Sequence, residues 1–192
     1  MKNILKLAIV LLVAACGGGD SRAPRNLDNA CLLAREKPSY YAAMRKTESR
    51  WGVPIHVQMA TIHQESKFIG NAKTPHRFAL GIIPLGRQSS AYGYSQAIDS
   101  TWDDYREATN RRSARRNKFQ DASDFMGWYM DGTSARLGIS KYDARNQYLA
   151  YHEGRSGYAN GSHNSKGWLL AVADQVEARA QMYRAQLDAC GK

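Results

Sequence analysis

The stretch "HQESKF", residues 63–68, sets one carboxylate, Glu65, at the end of an apolar stripe made by Ile55, Met59 and Ile62. The stripe has helical spacing and Pro54 suits a first helical turn, so the pattern predicts a helix that runs into Glu65. A carboxyl against apolar walls keeps its proton towards neutral pH, because burial disfavours the charged form. Such a group can act as general acid on a poor leaving-group oxygen, the central difficulty in breaking a glycosidic bond. The competing reading is an ordinary surface glutamate that faces water or pairs with Lys67.

Two later pieces carry further candidates. "GYSQAIDSTW", from Gly93, holds Tyr94 and Gln96 just before a helix start, and "AYHEG", from Ala150, holds Tyr151 and His152 at a helix end. Taken singly, Tyr151 reads as a core tyrosine with a wet hydroxyl, Gln96 as a surface amide and His152 as a structural histidine or a proton carrier. Ordinary glycosidases use a second carboxylate as nucleophile or base. Asp99, Asp103 and Asp104 lie near a helix start, where capping explains them, and Glu153 reads as a charge at a helix end. With water as acceptor, Asp99, Asp103 or Glu153 would have to face Glu65. The five histidines are scattered and show no metal-ligand spacing with the cysteines, so neither metal nor cofactor is expected.

Helix punctuation dominates the elements that must position these residues. "SYYAAMRKTESRWG" closes at Gly52, "DSTWDDYREA" has Ser100 and Asp103 at its start, and "DASDFMGWYMDG" forms a further helix. "SKYDARNQYLAYHEG" runs from an N-cap at Ser140, with Asp143 three residues on, to Gly154. A last helix from about Trp168 sets Val172, Val176, Tyr183 and Leu187 on one face, with Cys190 on the same stripe. The β-like stretch "RFALGIIPLG" is broken by Pro84 and two glycines, so residues 70–92 read as a long loop with room for a short hairpin. The fold class is mainly α, with a minor β or loop insertion after the Glu65 helix.

The leader bounds the setting. Lys2 and Lys6 precede "LAIVLLVAA", too short for a bilayer span of about 20 residues, and residues 1–15 read as a signal peptide. "VAAC" resembles the lipobox of bacterial lipoproteins, which implies cleavage before Cys16 and a lipid on its sulfur. Glycine-rich residues 16–26 form a tether, and 27–192 a single domain. Gly17 after the cysteine resembles Gram-negative lipoproteins sent to the outer membrane, facing the periplasm. Cys31 and Cys190, an even pair in an exported chain, read as a disulfide whose long loop is worth roughly 4–5 kcal/mol. The net charge is +10, or +8 without the two leader lysines, which suits an anionic partner such as wall polymer or headgroups. The arginine-dense "YREATNRRSARRNKF" reads as a solvated face or an attractor of those polymers. It lacks the interleaved aromatics of a single-strand binder, so nucleic acid is not expected.

In order, the Glu65-Ser66 pair, the Gly93-to-Gln96 segment and the Ala150-to-Gly154 segment resemble the goose-type lysozyme and soluble lytic transglycosylase superfamily, over roughly residues 45–160. The resemblance implies a lysozyme-like α+β domain acting on peptidoglycan glycan strands, as a monomer held to the membrane by its lipid. Glu65 then matches the acid/base. Gln96 matches a glutamine lining the sugar groove, and Tyr151 a tyrosine near the catalytic carboxyl. Ser66, Tyr94 and His152 fall at substrate-binding positions. Tyr94-Ser95 stands where many members have Leu-Met, and His152 where asparagine is usual. The implied chemistry is a lytic transglycosylase with one acid, closing a 1,6-anhydro ring. The alternatives are a hydrolytic muramidase and a wall-binding lipoprotein without catalysis.

Overall fold

Helix α2 (Pro38–Trp51) buries Tyr40, Ala43, Met44 and Thr47, a stripe at i, i+3, i+4 and i+7 that lays it against α5 (Phe119–Leu137). The computed structural model describes residues 22–79 and 83–192. The leader, Cys16 and the tether as far as residue 21 lie outside the described residues. The described residues hold seven helices and one two-stranded sheet, so the chain is mainly α.

Helix α3 (Ile55–Ser66) is the hub. Nine of its twelve residues are buried, and it touches α2, α5, α6 (Ala144–Ala159) and α7 (Gly167–Ala189). A helix enclosed on most sides must pair its polar groups internally. Gln58 does so by donating to the Met44 and Val53 carbonyls (3.1 and 2.8 Å) and accepting from Ser123 Oγ (2.9 Å). Met59 and Ile62 are fully buried, each worth about 1.5–3 kcal/mol of burial. Proline and stripe thus perform as the spacing suggests, except that Pro54 caps the helix from just outside it.

The last helix buries Leu169, Ala173, Val176, Ala180, Tyr183 and Leu187 along one face, against α3 and α6. Its far end carries Cys190, bridged to Cys31 with Cα atoms 6.4 Å apart. Cys31 belongs to α1 (Ala30–Glu36), too short for its periodicity to register in the sequence. Asn29 caps it by accepting from Leu32 N, and Gln186 of α7 accepts from Ala30 N (2.8 Å). The insertion after α3 forms an antiparallel hairpin of β1 (His76–Ala79) and β2 (Ile83–Arg87).

Two expectations change. The N-cap of α6 is Asp143, accepting from Asn146 N (2.9 Å), rather than Ser140; a capping side chain must sit directly before the first turn. The arginine-dense run is less a solvated face than a tie. After α4 (Asp99–Ala108), Arg111 meets Asp121 and Asp124 (2.8 and 2.6 Å), and Arg116 meets Asp99 (2.6 Å) and the Ser90 and Ala97 carbonyls. These arginines staple the segment before α4 to the base of α5.

Candidate active site

Glu65 lies in the last turn of α3, beside a backbone reversal. Lys67 (φ 52°) and Phe68 (φ 61°) follow in the left-handed region, and Gln96 (φ 49°) adopts it across the site. A non-glycine residue there costs on the order of 1–3 kcal/mol and persists only where its surroundings enforce it. They do here. Phe68 is fully buried and stacked on Phe119, with ring centroids 6.0 Å apart. The Ser66 hydroxyl donates to Ile62 O and to Tyr94 O (3.2 and 2.8 Å), tying the helix end to the 93–97 segment.

That segment is held from behind. Gly93 has φ 78°, and a Cβ on it would lie 2.2 Å from the Arg116 carbonyl oxygen, so only glycine fits. Gln96 Nε2 donates to Ala72 O and Gly93 O (3.1 and 2.7 Å), which fixes an amide that lines the groove. Tyr94 points away from the groove: it is 2 % exposed, its hydroxyl shares a hydrogen bond with Tyr40 (2.6 Å), and its ring meets Phe119 edge-on. Ser66 is buried as well. The motif puts both at substrate positions, but neither lines the cavity, and both act as supports with their polar groups consumed internally.

The third piece comes from α6. Tyr148 and Tyr151, three residues apart, share one face of that helix. Tyr151 packs edge-on against Tyr129 (5.0 Å) and Phe125 (6.4 Å), and its hydroxyl donates to Ser95 O (2.6 Å). Burial, then the charge of Glu65, pushes the phenols of Tyr148 and Tyr151 well above their ordinary value. The sequence signal for Tyr148 is the "YLAY" spacing, which sets it three residues before Tyr151 on the same helix. Helix α6 then breaks: Gly154, with φ 75° and ψ 155°, turns the chain directly after His152 and Glu153.

Together these pieces enclose a cavity of about 460 Å³ with Glu65, Gln96, Tyr151 and His152 in its lining. Thr74, Ser89 and Ala91, from the stems of the 70–92 insertion, add to its wall. Glu65 is half-buried, and among the described residues no group donates a hydrogen bond to its carboxyl. Burial pushes its pKa up to about 8, against a weaker downward pull from Lys67. At neutral pH the acid holds its proton.

The other carboxylates are differently placed. Asp99 is held by Arg116, and Asp103 is exposed beside Arg106 (3.1 Å). Glu153 does line the cavity, but both its oxygens accept from Lys166 Nζ (2.8 Å each), and Ser162 Oγ and His152 Nδ1 donate to it as well. These bonds, Lys166 first, hold its pKa down to about 2. It is a saturated anion. Among the described residues no cluster of histidine, cysteine or acidic side chains has the arrangement of a metal site.

An acid protonated at neutral pH, at the end of a hub helix and in a groove lined by tyrosine and glutamine, is equipped to protonate a glycosidic oxygen. No curated protein and no solved structure matches the chain. The family model described as "Transglycosylase SLT domain" matches residues 4–190, nearly the whole chain. The chain therefore belongs to the transglycosylase SLT domain family, whose general activity is lytic transglycosylation of peptidoglycan.

Proposed function

We propose that this protein cleaves the β-1,4 bond between N-acetylmuramic acid and N-acetylglucosamine, leaving 1,6-anhydro-muramic ends, with Glu65 as the single acid and base. The observation that carries this reading is the asymmetry of the carboxylates: among the described residues Glu65 is the one in the groove free of hydrogen-bond donors and raised in pKa. Its proton passes to the glycosidic oxygen as the C1–O bond breaks. The acetamido oxygen of the muramic sugar bonds to C1 in place of the leaving group. Glu65, now ionised, takes the proton of the C6 hydroxyl, and the C6 oxygen displaces the acetamido oxygen from C1. The carboxyl ends the cycle protonated, as it began, and no water is consumed. Neither the closing nor the opening step asks for a second carboxylate.

The leader supports a cellular setting for this activity. Cys16 carries the lipid, and the tether through residue 26 lets a monomeric domain reach the wall from the outer membrane, on the periplasmic side. Its basic surface favours the anionic wall.

Mass spectrometry of the products from purified sacculi tests the chemistry. Anhydro-muramic ends are the expected result. Reducing muramic ends would mean that water is the acceptor and would favour a muramidase, while sacculi bound but undigested would mean a wall-binding lipoprotein. Cys16→Ser tests the anchor and should abolish detergent-phase partitioning of the mature chain; equal partitioning would sink it.

A further inference from the structure

Trp168 leaves 60 % of its surface in water, whereas Trp102 is 5 % exposed and the other two tryptophans are half-buried. An indole is the largest apolar side chain, and one left this open beside a groove asks for an explanation. Tyr142 is as exposed, but it stands beside His56 at a different cavity. Trp168 is joined to the groove. Its ring meets His152 edge-on, with centroids 5.4 Å apart and planes at 77°, and His152 lines the cavity that holds Glu65. On the inner side, His152 lies 6.4 Å from Tyr148, one of the two tyrosines that sense Glu65. A row of rings thus runs outward from the acid: Tyr148, His152, Trp168.

The row is clamped. Lys166, two residues before Trp168, meets both oxygens of Glu153 at 2.8 Å, and Glu153 holds the Nδ1 proton of His152 at 3.0 Å. The Glu153 side chain is only 4 % exposed. One buried carboxylate therefore fixes the start of α7, which carries the indole, and the imidazole beside it. A β-linked N-acetylhexosamine keeps its ring substituents equatorial, so both faces of the ring present axial C–H groups. Such a face is apolar and polarised towards an aromatic ring.

Resting on the transglycosylase reading, we infer that Trp168 is a sugar-stacking platform that binds a pyranose of the glycan strand beyond the scissile bond, with Glu153 and Lys166 as its positioning residues. Its role is strand affinity, not bond breaking.

The test uses the mature chain and peptide-free glycan strands. Trp168→Ala should raise KM for long strands about tenfold, the scale of one good aromatic contact, and leave kcat at saturation within about twofold. Trp168→Tyr should restore most of the loss, which a packing defect at this site would not allow. In a Glu65→Gln background, which prevents turnover, added strands should shield tryptophan fluorescence from acrylamide, and Trp168→Phe should remove the shielded component. An unchanged KM for Trp168→Ala on wall that the wild type digests would overturn the inference and leave the activity standing. Shielding of Trp168 in a wild type that digests no wall would sink the activity and support the subsite.

Discussion

Glu65 and Glu153 line the same cavity and have opposite fates. Among the described residues Glu65, at the end of the hub helix, has no donor and one weakly felt cation, and its pKa rises to about 8. Glu153, at the break in α6, is saturated by a lysine, a serine and a histidine, and its pKa falls to about 2. The comparison teaches that a place in the groove does not by itself let a carboxylate keep its proton. What matters is the set of groups withheld from it. An acid in waiting is built by leaving it alone, and an anchor by surrounding it.

The largest effect should come from removing the acid. Glu65→Gln keeps the shape and removes the transferable proton, so turnover on sacculi should fall by at least about 10²–10⁴-fold, while wall binding persists. A variant as fast as wild type would make the assignment of Glu65 wrong. The same carboxyl sets the alkaline limb. On the proposed mechanism activity needs its protonated form, so kcat/KM should decline through a single ionisation near pH 8, and Glu65 should impose no acid limb of its own.

The two carboxylates should also pull stability in opposite directions with pH. Glu65 titrates near 4.5 when unfolded and near 8 when folded, so between those values the unfolded chain binds fewer protons and stability falls as pH rises. Replacing it by glutamine should therefore stabilise the fold on the order of 3 kcal/mol at pH 7 and have no such effect below pH 4. For Glu153 the sign reverses. Its lowered pKa supplies stability that is present above about 4.5 and lost as pH falls towards 2. Glu153→Gln should cost about 1–3 kcal/mol at neutral pH, from the charged hydrogen bonds it weakens, and leave the product ends anhydro. Denaturant titrations at pH 3 and pH 7 measure both. Loss of turnover on the scale of Glu65→Gln would promote Glu153 to catalysis and break the comparison.

Half of this contrast is legible in the sequence. Glu65 stands out because its helix is periodic and its apolar neighbours are local, and Tyr151 follows from a short motif on another helix. Glu153 carries no such signal: its partners, Lys166 and Ser162, arrive from a loop beyond a broken helix, so its local sequence looks like that of a surface charge. Ser66 and Tyr94 show the same limit. Their place in a motif marks them as near the site, but whether a side chain faces the groove or the core is settled by packing on Phe119 and Tyr40. The helices were readable for the opposite reason, since stripe and cap are local. The exceptions are α1, too short to show a period, and the start of α6, where two plausible caps lie three residues apart.

The smallest effect concerns Lys67, a cation that Glu65 feels. Lys67 lowers the pKa of Glu65 against the larger effect of burial, and its own side chain is exposed. A solvent-exposed charge acts through a high dielectric and is screened over about 8 Å at physiological ionic strength. Lys67→Gln should therefore move the alkaline limb of kcat/KM upward by about half a pH unit or less, with the maximal rate nearly unchanged. Wild type in about 1 M salt should show the same displacement, because the Debye length there shrinks to about 3 Å. A downward displacement would mean that Lys67 acts on Glu65 by something other than its charge. A displacement of two units or more would mean that Glu65 is held as an ion pair, and the contrast with Glu153 would then be one of degree alone.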